Sequence, residues 1–209
     1  MAGPAVVALS VGGPLAVAGA WLVVRAGLVT VWTAMGVTLG VLGILAVATG
    51  EPRAATELGP WWDLVMGVLA GVALYGATAA FMAVAGRWPP LARQAAELYG
   101  NRRDVSPARA LGISVLLTAP GEELLWRGVV QGALESAFGL YAAASLAWLA
   151  YVAANAVSGS LPIALGAAVG GAAWTALAAW TGGVVASIAC HAVWTGLMIL
   201  LPPVPGARR

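Results

Sequence analysis

Residues 107–134, PARALGISVLLTAPGEELLWRGVVQGAL, form one long apolar run that holds two adjacent carboxylates, Glu122 and Glu123, and a nearby cation, Arg127. Ionisable side chains at the depth of a bilayer cost about 2.5–3.5 kcal/mol each on insertion scales, so they usually face a protein interior or a cavity and serve a function. The run therefore predicts a membrane helix that also carries the chemistry of this chain.

The composition indicates a membrane protein. Of the 209 residues, 61% are hydrophobic and 9% are charged, whereas soluble domains carry about 25% charged residues. A single cysteine, Cys190, excludes an intramolecular disulfide. The N-terminus has no basic segment before its first apolar run, so we expect that run to be a retained helix and not a cleaved signal peptide. No pattern indicates nucleic-acid binding.

Seven apolar runs are long enough to cross a bilayer, which takes about 20 residues of helix. They cover residues 5–24, 27–49, 62–86, 107–134, 138–157, 161–180 and 183–201. The sequence therefore predicts an all-α fold, a polytopic membrane helical bundle of about seven transmembrane helices, with a single integral membrane domain over residues 1–209. Glycines at four-residue spacing predict close helix packing, and these pairs are Gly36 and Gly40, Gly67 and Gly71, and Gly166 and Gly170.

The charges of the loops predict the orientation in the bilayer. The segment 87–109 holds five arginines against two acidic residues, and such positive loops stay in the cytoplasm. With seven spans, Arg25, this segment and the terminal Arg208-Arg209 fall on one side. We therefore expect a multi-pass protein of the cell membrane with its N-terminus outside and its C-terminus in the cytoplasm.

Residues 87–106 would then be a cytoplasmic loop. Within it, Leu91, Ala95 and Leu98 recur at helical spacing among polar residues, after a break at Pro89-Pro90. This pattern leaves two interpretations open, a charged connecting loop or a short helix that lies along the inner membrane surface.

The spacing of the charged residues in the central run separates the two glutamates. Glu123 and Arg127 are four residues apart, about 40° from each other around a helix, so we expect them to form a buried ion pair. Glu122 points about 140° away from Arg127 and is left for chemistry. Pro120 and Gly121 directly precede the pair, and proline removes a backbone donor there, so we expect the helix to be loosened at that point.

Further polar residues lie in two later spans. The only histidine, His191, shares a helix face with Ser187 and Thr195. A lone histidine is often a satisfied structural residue, but a polar stripe in an apolar helix needs partners, and the glutamates are available, which favours a functional His191. Asn155, one turn after Tyr151, has two open interpretations: an interhelical hydrogen bond or loop cap, and a catalytic group.

Together these residues resemble the CAAX prenyl endopeptidase and bacteriocin-processing (CPBP) family of intramembrane proteases. The family pattern is Glu-Glu-x-x-x-Arg, then aromatic-x-x-x-His, then His-x-x-x-Asn. Its counterparts here are Glu122-Glu123-x-x-x-Arg127, Tyr151-x-x-x-Asn155 and His191-x-x-x-Thr195. The first part matches to the residue, whereas Asn155 stands where the family has His and Thr195 where it has Asn. The resemblance covers residues 107–201, which we expect to be a CPBP-like catalytic core.

The resemblance implies a glutamic-type membrane endopeptidase, in which a glutamate activates the water that hydrolyses a peptide bond of a peptide or membrane-protein substrate. The implied site residues are Glu122, Glu123, Arg127, Asn155, His191 and Thr195. Glu122 would be the base and His191 a donor to the oxyanion. Because losing one oxyanion donor costs about 10²–10³ in rate, the two replacements imply either a weakened enzyme or an inactive one.

Two other functions remain open. An inactive CPBP-like scaffold that binds a partner membrane protein is supported by the replacements at Asn155 and Thr195. A small proton-coupled transporter would use the glutamates and His191 as a proton relay, although no inverted repeat favours it. No cofactor is predicted. A metal site is disfavoured, because a catalytic zinc has three protein ligands, most often histidines, and the chain has one His.

Overall fold

The computed structural model describes residues 3–50, 59–100 and 104–204. All the long regular elements in these residues are helices, as predicted. The helices are α1 (Pro4–Arg25), α2 (Val31–Thr49), α3 (Pro60–Ala85), α4 (Pro89–Gly100), α5 (Pro107–Ile113), α6 (Ala119–Glu123), α7 (Gln131–Phe138), α8 (Leu140–Ala156), α9 (Leu161–Thr181) and α10 (Val185–Leu200). The π-helical turns Ser114–Thr118 and Leu124–Val130 join α5, α6 and α7 into one rod over residues 107–138.

The helices are those of a multi-pass membrane protein. Four of them, α1, α2, α3 and α9, are long and apolar enough to cross a bilayer, and α8 and α10 are shorter apolar helices. With the 107–138 rod, the described residues contain seven apolar helical segments, in agreement with the predicted fold. Large apolar side chains such as Leu15, Ile44 and Leu116 are exposed on the outside of the bundle, as expected for surfaces that face lipid.

The clearest boundary difference from the sequence prediction is at the second span. We expected it to begin at residue 27, but α2 begins at Val31. Thr30 is the N-cap of this helix, and its hydroxyl accepts a hydrogen bond from the backbone N–H of Thr33. A threonine cap satisfies a backbone donor that the helix itself cannot bond, so the chain starts the helix there and leaves a short connection after α1.

The rod is irregular on both sides of the glutamates. The helical backbone continues into Pro120, since Thr118 and Ala119 have helical backbone angles. However, a π turn lies on each side of α6. π turns often occur at functional sites. α2 packs directly against Gly121, since a Cβ on this residue would collide with the carbonyl oxygen of Leu39. The predicted loosening is therefore confirmed, in the form of wide helical turns.

Two of the predicted glycine pairs behave differently. Gly67 and Gly71 of α3 lie directly against the α10 backbone, and a Cβ on Gly71 would lie 2.7 Å from the carbonyl oxygen of Cys190. This close packing confirms the seam predicted for that pair. For Gly166 and Gly170 the seam prediction is wrong, because both glycines face tryptophan rings, so they leave room for side chains and not for a neighbouring backbone.

A helix, α4, occupies most of the segment predicted to be a cytoplasmic loop. Its apolar residues Leu91 and Ala95 are buried against Met82 and Val204. The position of this segment in the cytoplasm stays a prediction. Several of the charges on which the orientation depends lie outside the described residues, namely Arg102, Arg103, Arg208 and Arg209.

Candidate active site

The predicted ion pair is present. Arg127 Nη1 lies 3.1 Å from Glu123 Oε1, and the side chains are 1% and 0% exposed. Helix α9 provides the other partners of the guanidinium: Nε and Nη2 each donate to Thr175 Oγ1 at 3.2 Å, and Nη2 donates to the carbonyl oxygen of Gly171 at 2.8 Å. A buried charge is tolerated when it is paired and its donors are bonded. Glu123 provides the counter-charge for Arg127, and α9 provides the remaining hydrogen-bond acceptors.

Glu123 serves a second partner as well. His191 Nδ1 lies 2.8 Å from the same Oε1 that binds Arg127. The imidazole also stacks on the Trp174 ring, with centroids 3.6 Å apart and planes 10° apart. In the neutral ring, a carboxylate at Nδ1 places the hydrogen on Nδ1 and leaves Nε2 as a hydrogen-bond acceptor. Glu123 therefore sets the orientation of His191 and determines which nitrogen is available.

Glu122 has a more open environment than its neighbour. Its side chain is 12% exposed, and its Oε2 lies 3.9 Å from His191 Nε2. The Tyr151 hydroxyl, from α8, donates to the same Oε2 at 2.8 Å. Tyr151 was not among the predicted site residues, although its place at the aromatic position of the second family motif was a signal that could have identified it.

Glu122 and His191 together can hold a water molecule. A separation of 3.9 Å between Oε2 and Nε2 is too long for a direct hydrogen bond, but a water beside the line that joins them can bond both atoms at about 2.8 Å. Both atoms act as acceptors when the carboxylate is ionised and the ring is neutral. They would then take both hydrogens of the water and leave its oxygen lone pairs exposed.

The structure turns Asn155 away from the glutamates. Its Oδ1 accepts a hydrogen bond from Trp21 Nε1 of α1 at 3.1 Å, and its Nδ2 donates to the carbonyl oxygen of Tyr151 at 3.0 Å. This is the interhelical hydrogen bond that the sequence left open as one interpretation. The Oδ1 bond joins α1 to α8, and the Nδ2 bond stays within α8, so both functional atoms of the amide are already used.

Only some of the polar residues that share one face of α10 contact the glutamates. His191 bonds Glu123, and Ser187 lies beside Glu123 but donates to the carbonyl oxygen of Val184. Thr195 Oγ1 is buried and has no hydrogen-bond partner within the described part of the chain. The expectation that the glutamates satisfy the whole stripe is therefore wrong for Thr195, which leaves one buried hydroxyl available to a further group.

The described residues contain no group of three His, Cys, Asp or Glu side chains that could hold a metal ion. Glu123 Oε1 is already bonded by both Arg127 and His191. Cys190, which precedes His191 in the chain, is a free and buried cysteine.

Comparisons with known proteins agree with the motifs. Residues 105–197 match one family model, that of the type II CAAX prenyl endopeptidase Rce1-like proteins. The chain has no significant match among curated proteins or among solved structures. The matched region begins just before α5 and ends within α10, so it contains both glutamates, Arg127, Tyr151 and His191. Residues 105–197 of this chain are therefore similar to the type II CAAX prenyl endopeptidase Rce1-like family.

Proposed function

We propose that this protein is a glutamic-type intramembrane endopeptidase that hydrolyses a peptide bond of a membrane-associated substrate, with Glu122 as the general base. The observation that carries the proposal is the position of Glu122 Oε2, 3.9 Å from His191 Nε2, on a carboxylate that is partly exposed. The adjacent glutamate is fully buried and bound to Arg127. One carboxylate is thus fixed in the frame of the site while the other faces a position where water can be activated.

The reaction begins with a water bound between Glu122 and His191. As the water oxygen attacks the scissile carbonyl carbon, Glu122 takes one proton, the new C–O bond forms and the carbonyl π electrons move to the oxygen. When the C–N bond breaks, Glu122 returns the proton to the leaving nitrogen. General-base catalysis of this kind contributes about 10²–10⁴-fold.

The oxyanion needs a hydrogen-bond donor. The resemblance implies His191 for this purpose, but its Nδ1 hydrogen is directed to Glu123, and Nε2 is an acceptor in the neutral ring. Thr195, one turn further along α10, has a buried hydroxyl with no partner in the described residues. We assign to Thr195 the role of hydrogen-bond donor to the oxyanion. Asn155 has no part in the proposed chemistry, because its amide is bonded to Trp21 and to the α8 backbone.

The test is cleavage of defined peptides by the purified protein in liposomes. Two probes are used, a pool of quenched fluorescent peptides with an N-terminal palmitoyl anchor and a farnesylated peptide with a free C-terminus. Glu122→Gln keeps the shape of the side chain and removes the base, so turnover should fall by about 10²–10⁴-fold. Glu97→Gln, on the exposed face of α4, is the matched control and should leave turnover unchanged.

Full turnover in Glu122→Gln would exclude the glutamate mechanism. Absence of cleavage of both probes by the wild-type protein, with a cellular phenotype that Glu122→Gln still supports, would favour the scaffold. The two probes also distinguish substrates, because preference for the farnesylated peptide would indicate recognition of a prenyl group, and preference for the palmitoyl pool would indicate recognition of an anchored leader.

The orientation belongs to the same proposal, with residues 87–106 and the C-terminus in the cytoplasm. Arg25 and Arg93 line one cavity of about 410 Å³, so the end of α1 and helix α4 lie on the same side of the bundle. Val204, near the C-terminus, packs on α4 as well. A Gly100→Cys variant should react with an impermeant maleimide only after the cells are permeabilised, and labelling of intact cells would reverse the orientation.

A further inference from the structure

Glu122 is held by one side chain that was not among the predicted site residues. The Tyr151 hydroxyl donates to Oε2 at 2.8 Å, whereas His191 Nε2, at 3.9 Å, is beyond hydrogen-bond distance. A base must be held in a productive geometry, because a misplacement of about 1 Å can cost about 10² in rate. In the described part of the chain, Tyr151 is therefore the donor that sets where this oxygen lies.

The tyrosine ring is itself fixed on several sides. Its edge contacts with Trp126 and Trp174 have centroid separations of 5.4 and 6.2 Å. The guanidinium carbon of Arg127 lies 4.7 Å from the ring centroid, over its face. Gly171 makes room for the ring, since a Cβ there would lie 2.8 Å from Tyr151 Cδ1. A ring that is 4% exposed and packed in this way holds its hydroxyl in one position.

Arg127 connects this arrangement to the other carboxylate. The same guanidinium that binds Glu123 at 3.1 Å also covers the Tyr151 ring. The positions of the two glutamates are thus set by one framework, directly for Glu123 and through the tyrosine for Glu122.

Asn155 does a different task one turn further along α8. Its carbonyl accepts from Trp21 and its amide donates to the Tyr151 carbonyl oxygen. The bond to Trp21 joins the end of α8 to α1, and neither bond involves a glutamate. A loss of Asn155 should therefore act first on folding.

We propose that Tyr151 is a positioning residue for the catalytic base: its hydroxyl orients the Glu122 carboxylate toward the water, while Asn155 is structural. The inference rests on the proposed function, because it assigns Tyr151 an effect that passes through Glu122. A hydrogen bond to a charged group contributes enough to change a rate by about 10–100-fold.

The test measures kcat and KM of Tyr151→Phe with the best-cleaved member of the palmitoyl peptide pool. Phenylalanine keeps the ring and its packing, so kcat should fall about 10–100-fold while KM stays within about threefold, since the hydroxyl acts on chemistry and not on uniform binding. Tyr141→Phe is the matched control, because Tyr141 lies on the same helix and is 82% exposed. It should leave both constants unchanged.

A double-mutant comparison separates positioning from packing. If Tyr151 acts through Glu122, then Tyr151→Phe combined with Glu122→Gln should have the same residual turnover as Glu122→Gln alone. A further drop in the combined variant would overturn the inference. Wild-type turnover in Tyr151→Phe, found together with an inactive Glu122→Gln, would also overturn it. In that last case the proposed function stands. Full turnover in Glu122→Gln would instead overturn the proposed function.

Asn155→Ala provides a second arm of the test, which separates an effect on folding from an effect on chemistry. It should lower the melting temperature of the protein in detergent more than Tyr151→Phe does, and it should lower the kcat of the folded fraction less than about 10-fold. A folded Asn155→Ala protein with a normal melting temperature and a kcat reduced by about 10² or more would assign the chemistry to Asn155 and contradict the proposal.

Discussion

Glu122 and Glu123 are neighbours in the chain, yet their surroundings differ in kind. On the Glu123 side the carboxylate is fully buried, and one oxygen bonds both Arg127 and His191. On the Glu122 side the carboxylate is 12% exposed, and the bond that holds it is donated by Tyr151. Consecutive helical residues point about 100° apart. Glu123 therefore meets Arg127 and His191 of α10, whereas Glu122 meets Tyr151 of α8 and lies near the other nitrogen of His191. This difference is the basis of the two tasks that we propose, a stabilising one for Glu123 and a catalytic one for Glu122.

Arg127→Ala tests the Glu123 side and should have the largest effect on folding. It leaves a fully buried carboxylate without its cation and removes the hydrogen bonds to Thr175 and Gly171. Breaking a buried pair in this way costs about 3–5 kcal/mol. The measurement is the free energy of unfolding in mixed micelles, with Arg109→Ala on the exposed face of α5 as the control. A loss no larger than that of the control would mean that Arg127 does not stabilise the bundle.

Thr175→Val tests the hydrogen bonds of Arg127 with a smaller change. Valine has a similar shape but removes the acceptor of two hydrogen bonds from Arg127. A buried charged donor that loses its partner costs about 1–3 kcal/mol. The matched variant is Thr195→Val, whose hydroxyl has no partner in the described residues, so its unfolding free energy should change by less than about 1 kcal/mol. Equal losses in the two variants would contradict the hydrogen bonding described for Arg127.

Much of the membrane fold follows from the sequence because apolar length alone identifies a span. The first run was expected at residues 5–24, and α1 is Pro4–Arg25. The start of α2 differs because a local cap at Thr30, and not hydropathy, decides where that helix begins. Whether a glycine faces a backbone or a ring depends on the rotation of neighbouring helices, which explains the outcome at Gly166 and Gly170.

The site divides in the same way. The Glu123–Arg127 pair follows from a spacing within one helix, and it is present. The contacts that the sequence did not predict all join residues far apart in the chain, such as Arg127 with Thr175 and Trp21 with Asn155. Such contacts depend on which face of α9 or α1 packs inward, and that is fixed by the whole bundle.

If the two glutamates do separate tasks, Glu122→Gln and Glu123→Gln should differ when unfolding free energy and turnover are measured on the same preparations. Glu122→Gln should stay within about 1 kcal/mol of the wild-type unfolding free energy and lose about 10²–10⁴-fold in turnover. Glu123→Gln should lose about 3–5 kcal/mol, because Arg127 is then left buried without its counter-charge. A stable Glu123→Gln protein together with an unfolded Glu122→Gln protein would contradict this division of tasks between the two glutamates.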